Sequence, residues 1–445
     1  MNKSLLAALL AMACLGLASC GGGYSSSSGS SGGGTGANGL PPSGLKFRAF
    51  VSNPVQTTIV GNVPVLNIVD ARLDEFTRFD SSVSLSGAIT QPQRMVLSPN
   101  RTLTLVFSPA DKAIAVIDNA TEAPNTGTAS ATSQSTIKLA GLTESIVLAP
   151  VATLGYAAVP AAPITGQSLG AVQIFDYSAG TLNATVPVPA AHYIAESPDG
   201  NHLLVFSDNS NSATLVATSL IGTSPDPTTS IPGFDHPVGG IFLDNSNAIV
   251  FNCGAECGGT AASVALVDIQ AGAVTATIPV RAATMGLLSG SNTLYVAGTP
   301  PGTACGGTTQ AQTCGTLDVV NLLTKTATQA PNTITDGYHN LMQMGANGQL
   351  FIGARGCTNL NAANNAQGEV RGCLSIYNTQ TSAVTVPPAQ GNVTGIQPIT
   401  GRTVVYVCQN GALQIYDTAT DALQTKQVSV VGQAFDVVLV DIPSN

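Results

Sequence analysis

Short apolar runs closed by Asp or Asn recur along the chain. They read Leu66-Asn67-Ile68-Val69-Asp70, Ala115-Val116-Ile117-Asp118, Val172-Gln173-Ile174-Phe175-Asp176, Ala265-Leu266-Val267-Asp268, Leu317-Asp318-Val319-Val320-Asn321, Leu374-Ser375-Ile376-Tyr377-Asn378 and Leu413-Gln414-Ile415-Tyr416-Asp417, with a decayed copy at Thr214-Leu215-Val216. Runs of this length, rich in β-branched residues and ended by turn formers, predict strands. Their return at a period of tens of residues predicts a repeat architecture.

Each unit holds four strand-like pieces. An apolar segment leads into a turn such as Ser197-Pro198-Asp199-Gly200 or Ser98-Pro99-Asn100, and a second strand follows, His202-Leu203-Leu204-Val205-Phe206 or Leu103-Thr104-Leu105-Val106-Phe107. Pro presets φ, Asp bonds its own backbone and Gly accepts a positive φ, so these are turns by mechanism. The Asp-ended strand comes third, where its carboxylate is placed to cap the next turn. A fourth piece, Ala184-Thr185-Val186-Pro187-Val188 or Ala276-Thr277-Ile278-Pro279-Val280, carries a proline that only an edge strand tolerates.

Counting the decayed copy gives eight units, with seven if the weak unit near 213–234 is merged. Ala434-Phe435-Asp436-Val437-Val438-Leu439-Val440 has the pattern of an inner strand without a successor, and Phe47-Arg48-Ala49-Phe50-Val51-Ser52 that of a second strand without a predecessor. Pairing the two would complete a unit and remove two open edges. The expectation is an all-β propeller of eight four-stranded blades over residues 45–445, closed by its N- and C-terminal strands.

Further pieces match a known repeat: Leu294-Tyr295-Val296-Ala297, Val404-Val405-Tyr406-Val407 and Ile415-Tyr416-Asp417-Thr418-Ala419-Thr420. With the Asp turns, the Ile-Pro-Val outer strand and Ser-Pro-Asp-Gly, the chain resembles the YVTN-type β-propeller repeat over nearly all of residues 45–441. That family includes lactonase-like enzymes as well as proteins without known chemistry, so the resemblance implies a fold and leaves activity open.

The first residues have a different character. Lys3 precedes an apolar stretch, Leu5 to Leu17, too short to span a bilayer as a mature helix. The run Leu17-Ala18-Ser19-Cys20 resembles the lipobox of bacterial lipoproteins, which implies that residues 1–19 are a signal peptide and that Cys20 carries acyl chains holding the protein to a membrane. Gly21 in place of Asp implies the outer membrane, hence an extracytoplasmic protein, periplasmic or surface-facing. Residues 20–44 are Gly and Ser with a Pro pair, a composition that buries nothing and reads as a tether.

The chain is acidic, with 15 Lys and Arg against 24 Asp and Glu and a formal charge of −9. So few cations cannot neutralise many phosphates, which argues against a nucleic-acid partner. Trp is absent, which counts against the quinoprotein propellers and their Trp-containing docking motifs.

Six cysteines fall in close pairs at one place in three successive units: Cys253 with Cys257, Cys305 with Cys314, and Cys357 with Cys373. Export permits disulfides, and the Cys253–Cys257 spacing is not the two-residue spacing usual for zinc, so three hairpin-loop disulfides are predicted. Cys408 occupies the same region of the eighth unit without a partner and reads as a small buried residue. The stapled loops, 302–315 and 356–372, form one candidate binding surface.

The other candidate is the mouth of the central channel. His192, His236 and His339 each precede or begin an inner strand, Asp235 and Asp336 stand beside two of them, and Arg94 and Arg281 fall near equivalent positions. Together these could bind an anionic small molecule or a metal, although no metal ligand set and no cofactor is predicted outright. Gly166-Gln167-Ser168-Leu169-Gly170 matches a nucleophile-elbow string but lies in a loop with no following helix, so no catalytic residue is assigned. The reading is a lipid-anchored binding or scaffold module for an unknown protein, glycan or small molecule. The alternative is a lactonase-like hydrolase or lyase acting at the channel mouth.

Overall fold

The computed structural model describes residues 39–442, apart from 59–60, 77–81, 126–135, 303–313, 332 and 359–371. Cys20, the tether as far as residue 38, Cys305 and most of both long loops therefore lie outside the described residues.

Eight antiparallel sheets follow one another along the chain. Blades 3 to 8 each use four consecutive strands in spatial order. Their inner strands are Ser145–Leu148, Ala191–Glu196, Pro237–Phe242, Met285–Ser289, Tyr338–Met344 and Val393–Pro398. Blade 2 begins with Met95–Leu97 and has its outer position shared by Ala123–Pro124 and Thr136–Lys138. Blade 1 takes its inner strand, Asp436–Leu439, from the C-terminus and sets it beside Arg48–Thr58, pairing Phe50 with Val438 and Ser52 with Asp436.

The predicted Asp- or Asn-ended runs are the third strands. In most of these blades the terminal side chain accepts backbone N–H groups two or three residues on, as Asp70 does from Arg72 at 2.8 Å, Asp118 from Thr121 at 2.8 Å and Asn378 from Gln380 at 3.0 Å. The residue four beyond each strand end then takes a left-handed φ: Asp74, Glu122, Gly180, Gly272, Lys325, Ser382 and Asp421. The cap offsets part of the backbone cost at the non-glycine positions. Blade 4, holding the decayed copy, ends its third strand at Ala217 and continues into a short 3-10 turn, Thr218–Leu220, but its four strands are complete. Pro187, Pro232 and Pro279 all end outer strands, where a missing N–H is tolerated.

The apolar core lies between blades. Eight buried clusters occupy the eight seams; one joins Ala49, Val51 and Leu439 of blade 1 to Tyr406 and Ile415 of blade 8. The closing seam is thus packed like the others. Beside this seam, buried Arg48 ties the two ends of the chain together within blade 1, pairing with Asp441 at 2.8 Å, and reaches across to blade 2, pairing with Glu122 at 2.8 Å. Cys408 is fully buried in this seam with a free thiol whose pKa burial pushes up.

Disulfides join Cys253 to Cys257 and Cys357 to Cys373. Each closes the connection between second and third strands, on the face where the inner strands begin.

Candidate functional site

Inner strands begin on one face of the ring and second strands end there. Residues at these two places surround the channel mouth. Glu144 immediately precedes the inner strand of blade 3, His192 and Tyr193 lie in that of blade 4, Tyr338 opens that of blade 7, and Arg355 ends the neighbouring second strand, paired in register with Tyr338.

These side chains converge on the Glu144 carboxylate. Its Oε1 receives Arg355 Nη1 at 3.0 Å, its Oε2 receives the Tyr193 hydroxyl at 3.1 Å, and His192 Nε2 stands 3.7 Å from Oε2. Asp208, just past the second strand of blade 4, meets the other ring nitrogen of His192 at 2.6 Å. Tyr193 stacks on His192 with ring centroids 4.7 Å apart, and the Arg355 guanidinium lies 5.1 Å from the centre of the Tyr338 ring.

The electrostatics follow from this arrangement. His192, and then Arg355, hold the Glu144 carboxyl well below the usual carboxylate range against the opposing effect of burial. Glu144, with Asp208 behind it, raises the pKa of His192. Glu256 behaves in the opposite way. It sits on the Gly254–Cys257 turn closed by the Cys253–Cys257 disulfide, its Oε2 accepts the Thr299 N–H at 2.7 Å, and burial pushes its pKa up to about 7.

Two cavities meet here. A pocket of about 220 Å³ lies among His192, Asp208, His236, Cys257, Tyr338 and Arg355. The channel proper, about 410 Å³, is lined by the inner strands and shares Tyr193, Val238 and Tyr338 with that pocket.

The residues singled out from sequence divide accordingly. His192 and His236 face the same pocket, and Arg94 lines the channel. Asp235 stays beside His236, its Oδ1 3.3 Å from the ring Nδ1, whereas His339, Arg281 and Asp336 do not join them, so the expected convergence is only partial. His339 is fully buried, with Nε2 3.0 Å from the Thr335 carbonyl and a pKa lowered to about 4 by burial. Arg281 turns to buried Asp318, its Nε 2.8 Å from Oδ1. Asp235 receives the Ala261 N–H at 2.8 Å and the Thr260 hydroxyl, which brings its pKa down to about 2. Asp336 receives the Thr358 N–H at 3.0 Å. Both aspartates secure the loops that carry the disulfides.

A repeated β-bulge explains the split among the histidines. Register shifts at Ala191/Tyr193, Pro237/Gly239, His339/Leu341 and Val393/Gly395 leave His192, Val238, Asn340 and Thr394 as the extra residues. His339 is thus equivalent to buried Ala191, His192 is the bulged residue itself, and His236 precedes its strand with a left-handed φ of 52°. Among the described residues no three His, Cys, Asp or Glu side chains converge as a metal set.

Glu144, Tyr193, Glu256, Tyr338 and Arg355 were not singled out from sequence. Arg355 carried a signal, being a cation closing the apolar strand Gln349–Arg355. Glu144 carried a weaker one, preceding a strand much as His192 begins one.

No protein-family model matches the sequence, and no curated protein matches it. Solved structures do share the fold. Dihydro-heme d1 dehydrogenase NirN in complex with DHE is 12% identical with a TM-score of 0.59, covering 89% of this chain and 75% of that one. Hydrazine synthase from Kuenenia stuttgartiensis is 14% identical with a TM-score of 0.51, covering 74% of this chain and 96% of that one. The chain is an eight-bladed β-propeller, a fold shared by enzymes and by proteins of unknown function. At this identity the likeness extends to the fold alone.

Proposed function

We propose that this protein is a membrane-anchored, extracytoplasmic recognition module whose ligand site is the channel mouth around Glu144, His192, Tyr193, Tyr338 and Arg355. The observation that carries the reading is the 3.0 Å ion pair between Glu144 and Arg355. It gathers side chains from blades 3, 4 and 7 over a cavity, where a rigid ring holds them in place. The anchor is proposed from the Cys20 sequence, which would leave the propeller tethered by residues 20–44.

A screen of a small-molecule library for thermal stabilisation tests it. Ligands are expected whose effect disappears in both Arg355→Ala and His192→Ala; ligands indifferent to both changes would overturn the mouth as the site. The alternative surface, the loop over 358–372, predicts loss of binding when that segment is deleted and none in Arg355→Ala.

A second reading, lactonase-like hydrolysis, draws support from the two carboxyls. Glu144 is ionised across the physiological range while Glu256 titrates near neutrality, the separation that general acid and base roles require. Lactone turnover lost in Glu256→Gln and His236→Ala would establish it; an inert protein with intact ligand binding would remove it.

A further inference from the structure

We propose that the channel beneath the mouth is a site for a small monocarboxylic acid with an apolar body, its carboxylate seated on Arg94. This rests on the reading of the mouth as a binding site and names what the site accepts.

Arg94 occupies the same register place as Tyr193. The Phe107 N–H bonds the Arg94 carbonyl at 2.8 Å, and Tyr193 pairs with the corresponding Phe206. Its side chain accordingly enters the channel. Among the described residues its guanidinium forms no hydrogen bond and no ion pair, although it is permanently charged and carries five donors. Two carboxyls lie close enough to feel its charge, and both are engaged elsewhere. Glu144 is held by Arg355, Tyr193 and His192. Asp436 accepts the N–H groups of Met95 and Val437, each at 2.8 Å. An unpaired guanidinium in a confined cavity favours an external counter-ion. One guanidinium flanked by two carboxyls suits a single negative charge better than a phosphate dianion.

The rest of the wall defines the body of the ligand. Phe251, Met285, Leu341 and Ile396 give an apolar lining, and the volume near 410 Å³ falls within the range of small-molecule sites. Asn340 adds a buried side-chain oxygen without a partner, an acceptor for a ligand hydroxyl or N–H. Gly286 is required sterically, because a Cβ there would fall 2.5 Å from the Phe251 ring. Gly239 is not: a Cβ would sit 3.6 Å from the same ring, an ordinary contact. Its missing side chain widens the channel without relieving a clash.

Calorimetric titration with naphthoate, decanoate, the neutral naphthamide and inorganic phosphate is the test. Saturable binding of at least one acid is expected, with naphthamide weaker than naphthoate by about tenfold or more and no phosphate binding. Arg94→Met and Gly239→Leu should each weaken acid binding by a similar factor, with melting curves reporting an intact fold. The inference is overturned if neither acid binds the wild-type protein, if acid and amide bind equally, if phosphate binds more tightly, or if folded Arg94→Met retains full affinity. A ligand lost in Arg355→Ala yet indifferent to Arg94→Met would overturn it while leaving the mouth as the site.

Discussion

Glu144 Oε1 and Arg355 Nη1 meet at 3.0 Å although they belong to blades 3 and 7, which stand opposite one another in a ring of eight. Their side chains span the channel mouth, so this pair depends on the whole ring being closed. The pair is partly exposed, with side-chain accessibilities of 40% for Arg355 and 36% for Glu144, and exposed pairs contribute at most about 1 kcal/mol.

Glu144→Gln should therefore leave global stability within about 1 kcal/mol while changing the site. The measurable change is in His192, whose pKa is raised chiefly by Glu144. Its NMR titration is expected to move down toward the ordinary value near 6.5 in the variant. An unchanged titration would mean that Asp208 alone sets it.

Asp436 gives a pH dependence of definite sign. Burial raises its pKa to about 6, above the unfolded value near 3.9, so the folded state binds the proton more tightly. Its contribution is fully present below about pH 4 and is lost as pH rises through about 6. Asp436→Asn should flatten that part of the decline in urea unfolding measured from pH 4 to 8. Glu256 and Glu196, both raised to about 7 by burial, act in the same direction and keep some slope in the variant.

Ring closure has its own test. Arg48 and Glu122 are each only 5% accessible, and removing one partner of a buried pair costs about 3 to 5 kcal/mol. Arg48→Met is expected to lose about 3 kcal/mol in chemical unfolding. Deleting residues 434–445 should do more, exposing the inner edge of strand Arg48–Thr58 and producing self-association in sedimentation.

The two described disulfides should differ in weight. Loop-closure entropy for residues 16 apart corresponds to about 3 kcal/mol, and for residues 4 apart to about 2 kcal/mol. Replacing Cys357 and Cys373 by Ala should therefore lower unfolding free energy more than replacing Cys253 and Cys257. The second change should act on the mouth instead, since it releases the turn that carries Glu256, and an infrared or carbon-NMR titration of that carboxyl would report it.

Labelling with palmitate in a bacterial host checks the anchor. Incorporation is expected in the wild-type protein and absent in Cys20→Ser, which should appear in the soluble fraction.

Periodicity made the architecture legible before any coordinates. Each Asp-ended run, each Pro-bearing edge strand and the two unmatched termini are local signals, because turn caps and strand edges are decided by residues a few positions apart. The same locality exposed the pairs Cys253–Cys257 and Cys357–Cys373. The blade at 212–232 was faint because its turn lacks the carboxylate cap, though its strands pair normally.

The site was less legible, for a physical reason. Whether a side chain points into the channel depends on a one-residue bulge in the inner strand, and slipping one position exchanges core for cavity. His339 and His192 look alike in sequence, yet His339 is the paired residue just before its bulge and His192 is the bulged residue itself. Arg355 and Glu144 are 211 residues apart, and only the curvature that closes the ring brings their charges together. The chain by itself determined strands, turns and closure, since each follows from near neighbours and from the need to leave no edge unpaired, while the choice between eight and seven blades rested on the strand pairing at 212–232. Tertiary structure alone decided which polar groups meet, because that depends on register and on distance across the channel.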